Sequence, residues 1–207
     1  MADLPVTLEP TLADSLGRAL DVEGKIGRAL EALGPVAQRD VVLVGAGASE
    51  QRRMTALGAR VATIDPLDGE AWSLGDSSAD AVVSAWSAFR GADAGELAEA
   101  ERVLRPGGRL LVVHDYGRDD VSRLRGDLPE YGTWSRRNGP FLSTGFRLRV
   151  IHCFWTFASL DEARTFLAAA FGDAGTKLGD GLTRPRLSYN VAVYHRTRRE
   201  NADPLPA

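Results

Sequence analysis

The stretch VVLVGAGAS, residues 41–49, decides the fold: four apolar residues run into a Gly-x-Gly turn, and a helical segment follows directly. A continuous apolar run is typical of a strand buried on both faces. Glycines allow a sharp turn and leave no Cβ between the backbone amides and a bound molecule, and a helix N-terminus attracts anionic groups. The pattern therefore predicts a pocket of the nucleotide-binding type. The alternative is a plain strand-to-helix turn, and Gly45 and Gly47 alone do not decide between the two.

Composition narrows the class of protein. The chain has 207 residues, a length that fits one α/β domain. Its net charge is −3 and its basic residues form no stripe that would bind nucleic acid. The arginine-rich end, 196–199, is interpreted as a solvated tail. Cys153 is the single cysteine, so an internal disulfide is excluded and a reducing compartment is indicated. No stretch approaches the ~20 apolar residues that span a bilayer, and the N-terminus has no leader pattern. We expect a cytoplasmic protein with no membrane partner.

Strand and helix patterns alternate through the first two thirds of the chain. Helical spacing over 11–33 ends at Gly34-Pro35, and capping boxes at Asp93/Glu96 and Ser159/Glu162 open two later helices. Such alternation predicts a doubly wound, mostly parallel sheet, and the last alternating stretch predicts an antiparallel final strand. The predicted strands are 41–44, 58–65 (GARVATID), 80–89 (DAVVSAWSAF), 109–116 (RLLVVHDY) and 187–195 (LSYNVAVYH).

The alternation lapses between residues 117 and 157. We interpret 118–158 as a lid or an insertion, and the pattern leaves open whether 146–157 is a strand or a covering flap. The predicted organisation is an N-terminal helical segment over 1–38, an α/β domain over 39–199, and a disordered tail over 200–207.

Several strings, taken in order, resemble the class I S-adenosylmethionine-dependent methyltransferases, in particular their small-molecule branch. They are VVLVGAGAS, the acid-ended strand VATID, the passage DGEAWSLGDSSADAVVSAWS, and ELAEAERVLRPGGRLLVVHD before a strand. The resemblance covers roughly residues 39–115 and resumes at 159. It implies a Rossmann-like sheet with an antiparallel last strand. An NAD-linked enzyme is disfavoured because the sixth position of a Gly-x-Gly-x-x-Gly fingerprint is Glu50.

The resemblance also implies a cofactor site for S-adenosylmethionine. Gly45, Ala46 and Gly47 would pass close to its methionyl part, and Asp65 would accept hydrogen bonds from the two ribose hydroxyls. Ser84, at the end of the third strand, would lie under the sulfonium. For Asp65, a turn-capping role is an equal alternative. Transfer from a sulfonium is an in-line displacement in which positioning dominates.

The second acidic residue of the family pattern lies much closer in sequence to the first than the family's fold requires. Asp68, followed by Gly69, would be the adenine-side acid, yet only two residues separate it from Asp65. A parallel neighbour strand needs a crossover of about a dozen residues, so we predict a sheet shortened by one strand, with GARVATID at its edge. Residues 66–78 would wrap over the adenine face, with Trp72 partly filling the gap. Losing roughly 100 Å² of apolar contact would cost about 2.5 kcal/mol, so cofactor binding would be weakened or lost.

On the acceptor side, His114 is the candidate base, because an imidazole titrates near neutral pH. A structural role for His114 is the competing interpretation. Trp86 and Tyr116 would line the acceptor pocket, with core packing as the alternative for Trp86. His152 and Trp155 would close the pocket as a lid or be buried against the sheet. The strings of metal-dependent relatives are missing, so no metal is expected.

Two functions from different classes remain open. In the first, the chain is a small-molecule methyltransferase whose cofactor site is reduced but still works. In the second, it is a non-catalytic binding or assembly module that keeps the fold. An exposed edge strand would favour pairing with a second copy, so a homo-oligomer is an expectation in both cases.

Overall fold

The computed structural model describes residues 4–65 and 71–199. Its elements, in chain order, are helices and strands of one α/β unit. They are α1 (Pro10–Ala19), α2 (Lys25–Leu33), β1 (Asp40–Val44), α3 (Ala48–Ala56), β2 (Arg60–Ile64), β3 (Ala79–Ala85), α4 (Ala94–Val103), β4 (Leu104–Asp115), α5 (Asp120–Arg125), α6 (Pro140–Ser143), β5 (Arg147–Thr156), α7 (Leu160–Asp180) and β6 (Arg186–Thr197).

One six-stranded sheet organises the molecule, in the order β2-β1-β3-β4-β6-β5. Strands β1 to β4 pair in parallel, whereas β6 runs antiparallel between β4 and β5. The doubly wound, mostly parallel sheet and its antiparallel last strand are confirmed. Among the residues that the structure describes, β2 is the outer strand, which is the place predicted for GARVATID.

The N-terminal helical segment differs from its prediction, because two helices replace the single one expected over 11–33. Asp21 interrupts it with a φ of 52°. Its carboxylate accepts hydrogen bonds from the backbone N–H of Lys25 at 2.8 Å and of Ile26 at 2.7 Å. An Asp that satisfies the first amides of a helix stabilises a new helix start, and this is why the chain breaks here.

Two of the predicted helix starts are present. The Asp93 side chain accepts from the backbone N–H of Gly95 and Glu96 at the start of α4, and Ser159 caps α7 through the N–H of Glu162. The Glu162 side chain accepts from the N–H of Ala158, the residue before the N-cap, at 2.9 Å, so the N-cap is present without the reciprocal bond of a capping box. Local capping chemistry therefore sets where these helices begin.

The segment with the lapsed pattern contains a strand. Residues 147–156 form β5, which pairs with β6 over its whole length, so the part interpreted as a possible flap is the other outer strand of the sheet. The earlier part, 118–146, holds the short helices α5 and α6 and the turns around them. The proposed tail, 200–207, lies outside the described residues.

Each face of the sheet carries its own core. Leu111 and Val113 of β4 belong to a cluster with α1, α2 and α7, which we call face A. Leu110 and Val112 belong to a cluster with α4 and the residues around α6, which we call face B. Successive side chains of a strand point to opposite faces, so the same alternation divides the polar residues at the strand ends. No helix within the described ranges is long and apolar enough to span a membrane.

Candidate functional site

The glycine turn lies at the carboxyl end of β1. Gly45 has a φ of 66°, a left-handed conformation that glycine adopts without strain, and its N–H donates to Ile64 O at 2.7 Å. Gly47 is the extended N-cap of α3, and Ala46 between them packs against the core of face A. Because α3 follows the turn directly, its N-terminus faces the carboxyl edge of the sheet, where open α/β folds bind ligands.

Asp65 lies beside this turn. It follows Ile64, the last residue of β2, which is the residue that receives the hydrogen bond from Gly45. The Asp65 side chain is exposed. The structure thus brings together the glycine turn and the proposed ribose-binding acid at one edge. Asp68 and Gly69, the proposed adenine-side pair, lie outside the described residues.

Trp72 packs on the neighbouring part of face B. It is 7% exposed, meets Phe89 edge to face with ring centroids 6.4 Å apart, and belongs to the same cluster as Val44. Its backbone N–H donates to Glu99 of α4 at 2.7 Å. The described end of the predicted wrapping segment is therefore fixed to α4.

The hydroxyl of Ser84 has structural partners. Its Oγ is 2.9 Å from Ser87 Oγ and accepts from the N–H of Ala88 at 3.0 Å. Ser87 in turn donates to Val44 O at 2.7 Å. The two serines therefore join the carboxyl ends of β3 and β1, and Ser84 is buried beneath the edge rather than exposed on it.

Trp86 and Asp115 link the next pair of strand ends. Trp86 follows β3 with a φ of 53°, and its backbone N–H donates to Val113 O at 2.9 Å. Its indole Nε1 donates to Asp115 Oδ1 at 3.0 Å. The strained backbone of Trp86 is thus held from both sides, by its own amide and by its ring.

Asp115 is the centre of a buried polar network on face A. Besides Trp86, it accepts hydrogen bonds from Tyr189 and Arg125 and, at 3.4 Å, from Tyr131. Burial raises the pKa of the Asp115 carboxyl, and Arg125, Tyr189 and Trp86 oppose this by stabilising its charge. The carboxylate is 3% exposed. We call these five residues the Asp115 network.

His114 points to the opposite face. It is 1% exposed, its Nε2–H donates to Ala88 O at 3.2 Å, and its ring meets Trp134 edge to face at 4.9 Å. Burial, together with the positive charge of Arg90, lowers the pKa of His114 to about 3. A general base must reach the proton that it removes. Its burial and lowered pKa favour the structural role that was the alternative interpretation.

The remaining acceptor-side candidates are dispersed. Tyr116 is half-buried under the guanidinium of Arg118, 5.7 Å from its ring centroid. His152 is exposed, and its Nδ1 donates to Asn190 Oδ1 at 2.8 Å. Trp155 is fully buried in face A against Tyr189 and cannot act as part of a lid in this arrangement.

Sequence reasoning missed Arg125, Tyr131 and Tyr189 as parts of the site and passed over Asp115 in favour of His114. Strand alternation was the signal that could have separated His114 from Asp115, since adjacent residues of β4 face opposite sides. Nothing in the local pattern connects Asp115 with Tyr189, which lies 74 residues later. Within the described residues, no group of His, Cys, Asp and Glu side chains has the arrangement of a metal site.

Comparison with known proteins defines the fold. No family model matches the chain, and no curated protein matches it. The similar solved structures include three that match this chain over most of both lengths. An S-adenosylmethionine-dependent methyltransferase from Aquifex aeolicus is 16% identical, with a TM-score of 0.52, covering 91% of this chain and 98% of its own.

The second structure is described as a type II methyltransferase from Anaeromyxobacter dehalogenans (16% identity, TM-score 0.53, 85% of this chain and 96% of its own). The third is described as a methyltransferase from an antibiotic biosynthesis pathway of Anabaena variabilis (14% identity, TM-score 0.54, 86% and 98%). The chain therefore has the fold of the class I S-adenosylmethionine-dependent methyltransferases.

Proposed function

We propose that this protein binds S-adenosylmethionine at the carboxyl edge of its sheet and methylates a small molecule. The observation that carries the proposal is the hydrogen bond from Gly45 N–H to Ile64 O, which sets the glycine turn against the strand end that presents Asp65. Similarity of fold supports the choice of cofactor, because the Aquifex aeolicus structure of the same fold depends on S-adenosylmethionine.

The residues at this edge fit part of the cofactor. Gly45 has no Cβ and a left-handed backbone, so its backbone would be able to lie against the methionyl group. The exposed carboxylate of Asp65 has the acceptors that two ribose hydroxyls need. When bound, S-adenosylmethionine would supply a methyl group on a sulfonium, and the neutral thioether would be the leaving group.

The other residues of the edge position the acceptor. Trp86, held by Asp115, presents a half-buried ring at the carboxyl end of β3, and both Trp86 and Ala46 pack on the core of face A. Tyr116 and His152 have partners of their own, Arg118 and Asn190, and are left out of the proposed acceptor side. With His114 buried, the acceptor must rely on its own nucleophilicity, as an amine or a thiol does, and not on His114 as a base.

A second candidate function is a non-catalytic module with the same fold. One observation favours it: β2 is the outer strand in the described part of the chain, so no further described strand supports the adenine ring. The two functions differ in a measurable property, because only the first requires that the cofactor bind.

Titration of the purified protein with S-adenosylmethionine and with its demethylated product tests the proposal. We expect saturable binding in calorimetry and a raised melting temperature. Asp65→Ala should weaken binding about tenfold, equivalent to about 1.4 kcal/mol, through loss of the ribose contact. The matched control is Asp161→Ala, whose carboxylate is 94% exposed in the first turn of α7.

The outcomes separate the two functions. If millimolar cofactor gives no heat of binding and no change in melting temperature, the non-catalytic module is favoured. Binding that Asp65→Ala leaves unchanged would show that the ribose contact lies elsewhere. Where binding is found, formation of the demethylated product with a panel of small amines, thiols and phenols tests transfer itself.

A further inference from the structure

A cluster of positive charge lies at the amino edge of the sheet, opposite the proposed cofactor site. Arg109 of β4 and Arg147 and Arg149 of β5 surround His195 of β6, and we call these four residues the arginine cluster. Strand register brings them together, since His195 pairs with Leu111 on one side and with Arg147 on the other. Arg109 and Arg149 lie two residues from those pairs, which places all four side chains on face A.

Nothing within the described residues neutralises this cluster. Arg147 and Arg149 are exposed and form no ion pair with a described residue, and Arg109 donates to the neutral hydroxyl of Thr197. Burial and the three arginines lower the pKa of His195, and no carboxylate contributes to that shift. Like charges on neighbouring strands destabilise a sheet. The cluster therefore lowers the stability of the fold, and it does so in a protein whose net charge is negative.

A cavity of about 1140 Å³ opens at the cluster. Its lining includes Arg109, Arg147 and His195 of the cluster, Thr197 and Arg198 at the end of β6, and, from face B, residues of α4 and of the turn after α6. Glu101 is the acidic residue among the described lining, and it is already paired with Arg196 at 2.6 Å. A smaller cavity of about 400 Å³, lined by Lys25, Arg28, Arg149 and His152, continues the basic surface along β5. The region predicted to be a solvated tail, 196–199, thus forms the wall of a cavity.

Protection of an exposed strand edge is the simpler explanation for arginines on β5, because charged side chains on an outer strand discourage pairing with other chains. That explanation does not extend to Arg109 and His195. They lie on β4 and β6, which are inner strands with partners on both sides. Inner strands need no such protection, yet they contribute half of the cluster.

We propose that the arginine cluster is a binding site for a small ligand carrying two or more phosphate groups. Guanidinium groups bind phosphate oxygens through paired, charge-assisted hydrogen bonds. The strands of the sheet place three such groups close together before any ligand binds. The cavity has room for more than an inorganic anion, which favours a diphosphate attached to a larger group. The site is separate from the glycine turn, so it does not depend on the proposed methyltransferase function.

Calorimetric titration of the full chain with inorganic pyrophosphate at low salt tests the proposal. We expect saturable binding that is tighter than binding of orthophosphate and that weakens as salt rises. The double variant Arg147→Gln/Arg149→Gln should weaken pyrophosphate binding by at least about tenfold, and Arg109→Gln should weaken it independently. Both exposed arginines can be replaced without disturbing the core. Arg123→Gln is the matched control, since Arg123 is 76% exposed on α5 and, among the described residues, pairs with Asp120 alone.

Two results would overturn the proposal. One is absence of pyrophosphate binding, or binding that the double variant and Arg109→Gln leave unchanged. The other is tight binding of a short single-stranded RNA that depends on the cluster while pyrophosphate does not bind, which would assign the surface to nucleic acid. ATP that competes with pyrophosphate and binds more tightly would support a diphosphate attached to a larger group.

Discussion

The indole Nε1 of Trp86 donates a 3.0 Å hydrogen bond to Oδ1 of Asp115, and so joins the carboxyl ends of the neighbouring strands β3 and β4. Asp115 is buried and holds three further donors. A buried carboxylate is tolerated only when its charge is paired and its oxygens are hydrogen-bonded. The network therefore fixes the residues beneath the carboxyl edge of the sheet, including the ring of Trp86.

Two tyrosines of β6 offer a matched test of the Asp115 network. Tyr189 OH donates to Asp115, whereas Tyr194 OH is buried without a hydrogen-bond partner in the described structure. Tyr189→Phe should lower the free energy of unfolding by about 1.5–3 kcal/mol, because a hydrogen bond to a charged group is lost. Tyr194→Phe should be neutral or stabilising. Urea unfolding of both variants measures the difference, and equal losses would contradict the network.

Burial of His114 predicts a pH dependence of stability. Its pKa falls from 6.5 in the unfolded chain to about 3 in the folded protein, so the unfolded state binds a proton that the folded state does not bind. The stabilising contribution is present above the unfolded value and is lost as pH falls towards the folded value. The slope from one proton is about 1.4 kcal/mol per pH unit.

His114→Gln, whose amide can still donate to Ala88 O, should remove that slope. We expect the wild-type protein to lose stability faster than the variant as the pH falls below 6.5. Chemical denaturation at a series of pH values gives both curves. Parallel curves would show that His114 does not stay neutral in the folded state.

The left-handed backbone of Gly45 makes it sensitive to any side chain. Gly45→Ala should destabilise the protein by roughly 1–2 kcal/mol, because an L-residue is strained at a φ of 66°. Gly17→Ala is the control, since Gly17 is exposed inside α1 with nothing within 4 Å of an added Cβ. That change should stabilise by about 0.5–1 kcal/mol. Thermal unfolding measures both, and a neutral Gly45→Ala would argue against the strained turn.

Arg102 of α4 anchors the chain between β2 and β3. Its guanidinium donates to Leu74 O at 2.7 Å and to Trp72 O at 3.0 Å, and it pairs with Glu99. Arg102→Lys cannot reproduce this fork of donors. Hydrogen exchange at the backbone N–H of Trp72 should accelerate by about tenfold, equivalent to about 1.4 kcal/mol.

Arg18→Lys in the last turn of α1 is the control for that experiment. It should leave exchange at Trp72 unchanged. Unchanged exchange in Arg102→Lys as well would show that the segment is held by Glu99 and the core alone.

The order of strands and helices could be predicted from the sequence because each element leaves a local pattern. Apolar runs, glycine turns and capping residues predicted the parallel strands, the antiparallel last strand and the starts of α4 and α7. The two-residue gap between Asp65 and Asp68 predicted β2 as the outer strand by chain length, and β2 is the outer strand among the described residues. The strand over 147–156 was left open because its arginines and aromatics alternate less clearly than in an ordinary half-buried strand.

The partners of the polar residues were decided by the tertiary structure. The local pattern pointed to His114, yet the pleat of β4 directs its side chain into face B and directs the side chain of Asp115 to face A. The Asp115 network joins residues from β3, β4, β6 and the segment around α5, and the arginine cluster joins β4, β5 and β6. Periodicity reports only which side chains share a face of one element. Contacts across elements depend on strand order and register, and the insertion of β6 between β4 and β5 is what brings these residues together.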